Sequence, residues 1–128
     1  MFTLDQIDFI HEHLGKQATL LQYLQALKAI GVVKYESFIT DGRSEYHGKG
    51  NHKLVSPAAH EKLSIAKTAT RDGLLKHLNL HSQGKTTYLE MSEGLAISGI
   101  EKWTFDTKKM TITYYGIDGT AMLTEEIK

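Results

Sequence analysis

The last third of the chain carries three runs, Ile100 to Phe105, Met110 to Tyr115 and Thr120 to Ile127, in which apolar and polar residues alternate with a period of two. That period sends successive side chains to opposite faces of a strand. The runs are joined around Asp106-Thr107-Lys108-Lys109 and around Asp118-Gly119, both short and rich in turn-forming residues. An antiparallel meander is the expectation, and a sheet with one apolar face must be covered by other elements.

The first half supplies candidates for that cover. Thr3 and Gln6 stand at capping-box spacing, and Leu4, Ile7, Ile10 and Leu14 recur at helical intervals before Gly15. A second helix, over residues 18 to 30, aligns Leu20, Leu24, Leu27 and Ile30, with Gly31 as its C-cap. From Val32 to Ile39 the pattern switches to a strand, with Val33, Tyr35, Ser37 and Ile39 on one face and Lys34 and Glu36 on the other. Asp41-Gly42 marks a hairpin turn, followed by return strands through Arg43 to His47 and His52 to Val55. Ser56-Pro57 reads as an N-cap and first helical residue, opening a short helix to Lys62. A short strand over Leu63 to Ala66 is expected next. Thr70 to Gln83 and Thr87 to Ser98 read as two further helices, the second with Thr87 and Glu90 in capping-box spacing. Helices and strands do not alternate regularly, so the expected class is α+β: one domain over residues 1–128, its antiparallel sheet made of an N-terminal hairpin and the C-terminal meander and covered by several short helices.

Composition narrows the function classes. The 128 residues carry 15 basic and 15 acidic side chains, so no whole-protein field recruits nucleic acid or an anionic membrane. Nucleic acid is therefore disfavoured as a partner; a local stripe from Lys49, Lys53, Lys62 and Lys67 would have to converge in space to reverse that. The absence of cysteine removes thiolate nucleophiles, disulfide frameworks and cysteine-ligated metals. No basic segment followed by an apolar one opens the chain, and no run approaches the roughly 18–20 apolar residues of a membrane span. A cytoplasmic protein without a membrane partner is the expectation.

Candidate sites are sparse. His77 and His81 are one helical turn apart, the spacing of two metal ligands on one face, but a site needs a third from His11, His13, His47, His52 or His60. Both also sit beside a leucine stripe, where a histidine hydrogen-bonds at the edge of a core. No metal or other cofactor is assigned. Gly84-Lys85-Thr86 resembles the tail of a phosphate-binding loop but lacks its earlier glycine, Asn79 standing in that place, and joins two helices. Alternation puts Glu101 on the face of Trp103 and Phe105, where a buried carboxylate would have a raised pKa. Trp103, the single tryptophan, suits either a core or a ligand platform. Tyr114 and Tyr115 point to opposite faces, and tyrosines could help build an aromatic pocket. Hydrolase elbows, zinc-protease helices and dinucleotide loops are absent.

Four blocks carry a resemblance: Tyr35-Glu36-Ser37-Phe38 leading to Asp41-Gly42 and Tyr46; His81-x-Gln83-Gly84-Lys85-Thr86; Ser98-Gly99-Ile100-Glu101-Lys102-Trp103; and Met110-Thr111-x-Thr113-Tyr114-Tyr115. Together they resemble the YdfO/YbcV-like family of small bacterial and prophage-encoded proteins, a domain of unknown function sometimes labelled phage envelope protein. The resemblance spans nearly the whole chain and implies a single α+β domain, often from phage-derived loci, with no established activity, cofactor or functional residues.

The leading expectation is a non-catalytic, phage-related interaction module that meets an unknown protein partner through Asp41, Arg43, Gln83 and Lys85, with Trp103 as a further binding residue. The alternative is a small ligand-binding protein or enzyme with a pocket lined by His81, Glu101 and Tyr114. Enzymatic activity is left undecided, leaning against, and a homo-oligomer is left open.

Overall fold

In a computed structural model, residues 2–14 and 20–127 are described. Their element order is α1 (Leu4–Leu14), α2 (Leu20–Ala29), β1 (Lys34–Phe38), β2 (Ser44–His47), β3 (Lys53–Val55), α3 (Arg71–Ser82), α4 (Tyr88–Ile97), β4 (Ile100–Asp106), β5 (Thr111–Gly116) and β6 (Ala121–Glu126). Both capping boxes form. The Thr3 N–H donates to Gln6 Oε1 at 2.8 Å and the Gln6 N–H to Thr3 Oγ1 at 3.2 Å, and Thr87 and Glu90 repeat the exchange at 2.9 and 3.1 Å. Gly15 and the side chains of His11 and His13 lie outside the described residues.

The strands form one sheet in the order β3-β2-β1-β4-β5-β6. Every neighbouring pair is antiparallel. This is the expected α+β architecture, the hairpin and the meander joined edge to edge by β1 and β4. On the covered face, cross-strand partners become an aromatic layer: Tyr35 stacks on Tyr46 at 4.9 Å and on Phe105 at 5.0 Å, each with 7° between ring planes. Tyr23 of α2 meets Tyr35 edge-on at 6.3 Å. Leu24, Leu27, Leu74, Leu95 and Ile100 complete a core shut off from water. No helix among the described residues is long and apolar enough to cross a membrane.

Two sequence expectations fail, for one reason. Residues 56–62 form no helix and 63–66 no strand. The Ser56 hydroxyl accepts the Ser44 N–H at 2.8 Å, the Ala59 and His60 N–H groups donate to Asp41 O at 2.8 and 3.1 Å, and Leu63 N donates to Thr40 O at 2.6 Å. Those donors would have closed a helical turn; the hairpin takes them instead, so the segment becomes a brace across the β1–β2 turn. Ala66 then bonds to Ala96 O at 2.9 Å, a single link to the end of α4 rather than a ladder.

Among the described residues no helix covers the other face of the sheet, which mixes charged side chains with Phe38 and Tyr115. At its centre Glu36 is nevertheless buried. Lys102 Nζ lies 2.7 Å from Glu36 Oε2 and the Thr104 hydroxyl donates to the same oxygen at 2.9 Å. Burial pushes the Glu36 pKa up, but the Lys102 and Thr104 hydrogen bonds and the charges of Lys102 and Lys34 outweigh it, holding the carboxyl below its ordinary value.

A buried hydroxyl ties the two halves together at one end. Thr107, in the β4–β5 turn, is fully buried, and its Oγ1 donates to Val32 O at 2.7 Å. Thr107→Val keeps the shape and strands that carbonyl, so it should lower unfolding free energy by about 1–3 kcal/mol. Urea denaturation measures this; an unchanged midpoint would show that the bond contributes nothing.

Candidate functional site

α3 presents Leu75, Leu78, Asn79 and Ser82 at helical spacing toward the meander, and between them lies a cavity of about 520 Å³. Its floor is the inward register of three strands: Trp103 and Phe105 on β4, Ile112 and Tyr114 on β5, Glu125 on β6, with Met91 of α4 and Leu20 of α2 at the sides. The floor is continuous because these residues are cross-strand partners: Trp103 pairs with Tyr114, and Phe105 with Ile112, which in turn pairs with Glu125. The walls are thus apolar and aromatic, with polar groups confined to a few positions, the usual construction of a small-molecule site.

His81 is fixed within that lining. Its Nδ1 lies 3.1 Å from the Thr86 carbonyl and 3.3 Å from the Thr86 hydroxyl; the tautomer that donates Nδ1–H to the carbonyl leaves Nε2 as an acceptor. Ser82 Oγ donates to Asn79 O at 2.8 Å, and Gln83 Nε2 donates to Asn79 Oδ1 at 3.2 Å. Tyr114 is buried beside the cavity, and burial, with the Glu125 carboxylate adding to it, pushes its pKa up to about 12. The same cause acts on Tyr46, pushed up to about 12, and on Tyr23 and Tyr88, both raised. At neutral pH these phenols are proton donors.

The structure therefore gathers three of the residues singled out in the sequence, His81, Trp103 and Tyr114, around one cavity. Glu101 stands elsewhere. It is the extra residue of a β-bulge between Ile100 and Lys102, which breaks the alternation expected to place it beside Trp103. It is half-buried near the hairpin, where its carbonyl accepts the Ile39 N–H at 2.8 Å. His77 packs on α4: a Cβ at Gly94 would collide with its ring. Among the described residues, no third ligand-bearing side chain joins His77 and His81.

Asp41 and Arg43 are bound to each other. Arg43 Nη1 and its backbone N–H both lie 3.1 Å from Asp41 Oδ1, and the guanidinium sits 4.0 Å over the Phe38 ring. Gln83 and Lys85 are exposed. They precede the first turn of α4, whereas the hairpin bonds to Glu101, beyond the end of that helix. Asn79, Ser82 and Glu125 were missed in the sequence. Glu125 had a legible signal, an acidic residue on the inward register of β6; the α3 pair needed the placement of the helix.

A family model described as a protein of unknown function, DUF1398, matches residues 8–126. The chain belongs to the DUF1398 family. No curated protein matches it. The match runs from within α1 to the end of β6 and leaves the function to be argued from the site.

An unfolded tyrosine ionises near 10, so the raised value of Tyr114 adds stability below that pH which is lost as pH rises from 10.0 toward about 12. The phenolate absorbance difference between wild type and Tyr114→Phe should titrate near about 12; a difference centred on 10.0 would place Tyr114 in contact with water.

Proposed function

We propose that the chain is a binding domain, not an enzyme, and that the cavity between α3 and the meander takes a small, largely apolar molecule carrying one hydrogen-bond-donating group. One observation carries this reading: a cavity of about 520 Å³ whose floor is Trp103, Phe105, Ile112 and Tyr114 and whose polar groups are few and grouped. A flat aromatic body suits the floor. The donor suits the free Nε2 of His81 or the Glu125 carboxylate. Binding is favoured over catalysis because Glu101 is outside the cavity lining and Ser82, the hydroxyl beside His81 in it, gives its proton to Asn79 O rather than to the imidazole. The four sequence blocks that resemble the YdfO/YbcV-like proteins support a bacterial, phage-related setting. Recognition of a protein partner through the Asp41–Gly42 hairpin and the α3–α4 connection is the second reading, favoured by the exposure of Gln83 and Lys85.

Trp103 is a built-in reporter, being the single tryptophan and part of the floor. N-phenyl-1-naphthylamine, an aromatic amine with one N–H donor, should bind saturably and quench Trp103 by energy transfer. Leu78→Phe, which fills the cavity from α3 and leaves Trp103 the single tryptophan, should weaken binding about tenfold or more while the circular dichroism is kept. Equal affinity in that variant, or no saturable quenching in the wild type, would refute the reading.

A further inference from the structure

On the bare face of the sheet, away from the cavity, Glu36 of β1 and Glu45 of β2 are direct cross-strand partners. Like charges in that position repel, and the pair is held together by cations around it, Lys102 and Lys34 on Glu36 and Arg43 and Lys53 on Glu45. We propose that Glu36, Glu45 and His47 form a binding site for one divalent ion of the zinc class, with water in the remaining coordination position.

The division of labour among the oxygens supports this. Glu36 Oε2 is held by Lys102 at 2.7 Å and by the Thr104 hydroxyl at 2.9 Å, and Glu45 Oε2 faces Arg43 Nε at 3.7 Å. The other oxygen of each carboxylate turns toward the same imidazole: His47 Nε2 lies 3.4 Å from Glu36 Oε1 and 3.7 Å from Glu45 Oε1. Donors held about 2.0–2.2 Å from a tetrahedral zinc stand roughly 3.3–3.6 Å from one another. All three ligand atoms lie within 4.8 Å of each other, the one such group among the described residues.

The imidazole, whose side chain is 25% exposed, adds an observation at the level of one atom. His47 Nε2 is shut off from solvent and has no hydrogen-bond partner, although two carboxylate oxygens stand close by. A buried ring nitrogen near two acceptors and bonded to neither leaves an unmet polar atom, which a coordinated ion would satisfy. The partners of the outward oxygens then act as supports that orient the ligands.

The competitors for the ion are identifiable. Lys34 Nζ lies 3.8 Å from Glu36 Oε1, and Lys53 Nζ lies 3.4 Å from Glu45 Oε1. Both side chains are about half exposed, at 45% and 50%, so each can swing into water when the ion enters. This gives the proposal a signature that ordinary surface binding lacks: removing Lys53 should tighten binding.

The test is calorimetric titration of the chelator-stripped, untagged chain with zinc chloride, alongside nuclear magnetic resonance of the histidine rings. The proposal expects one zinc per chain, a shift of the His47 ring signals in the wild type, a loss of about tenfold or more in affinity for His47→Ala and for Glu45→Gln, and a gain for Lys53→Met. His77→Ala should leave affinity unchanged. Stoichiometric binding that survives His47→Ala, zinc-induced shifts confined to other histidines, or no binding at micromolar protein would each overturn it. The ring-signal readout needs no variant, so the result stands even if a substitution harms folding.

Discussion

The pairing of β1 with β4 holds this molecule together. It joins residues 34–38 to residues 102–106, two segments far apart in sequence, and without it the N-terminal hairpin and the C-terminal meander would be separate small sheets. Small antiparallel ribbons are marginal alone. Both faces reinforce the seam: Tyr35 stacks on Phe105 on the covered side, and Glu36 binds Lys102 and Thr104 on the bare side. Aromatic stacking adds about 0.5–1.5 kcal/mol beyond area burial. The ion pair adds registry, because slipping β1 by one residue would send Glu36 into the aromatic layer and Tyr35 into water.

The two faces then serve different chemistry. The covered face leaves a cavity where α3 stands off the meander, floored by the same strand register that builds the core. The bare face concentrates charge, with Glu36, Glu45 and His47 surrounded by Lys34, Lys53, Lys102 and Arg43. A candidate site on each face of one sheet follows from period-two alternation, since β4 contributes Trp103 to one and Lys102 to the other.

Much of the architecture was legible because local signals agreed with the global fold. The meander announced itself through alternation and through turns at Asp106, which accepts the Lys108 and Lys109 N–H groups, and at Asp118, which accepts that of Thr120. The helix starts were written in Thr3 with Gln6 and in Thr87 with Glu90. Legibility ended where distant segments compete for the same groups. Ser56-Pro57 has the local form of a helix start, but Asp41 and Thr40 take the donors that a helix needs. Glu101 obeys alternation on paper, and one bulge moves it. The site divides the same way: His81, Trp103 and Tyr114 stood out as residue types, whereas Asn79 and Ser82 gained meaning from the placement of α3, and the burial of Glu36 among half-buried neighbours depended on Lys102 arriving from β4.

The account makes the β1–β4 seam the cooperative centre of a single sheet, and native-state amide hydrogen exchange tests that most directly. The prediction is that amides of β1, β4 and β5 exchange at one common, slowest rate set by global unfolding, with β3 and β6 fraying earlier as edge strands. If the amides of β1 and β2 instead opened together at markedly lower free energy while β4 and β5 stayed protected, the hairpin would be a separate unit and the seam would not be what holds the fold.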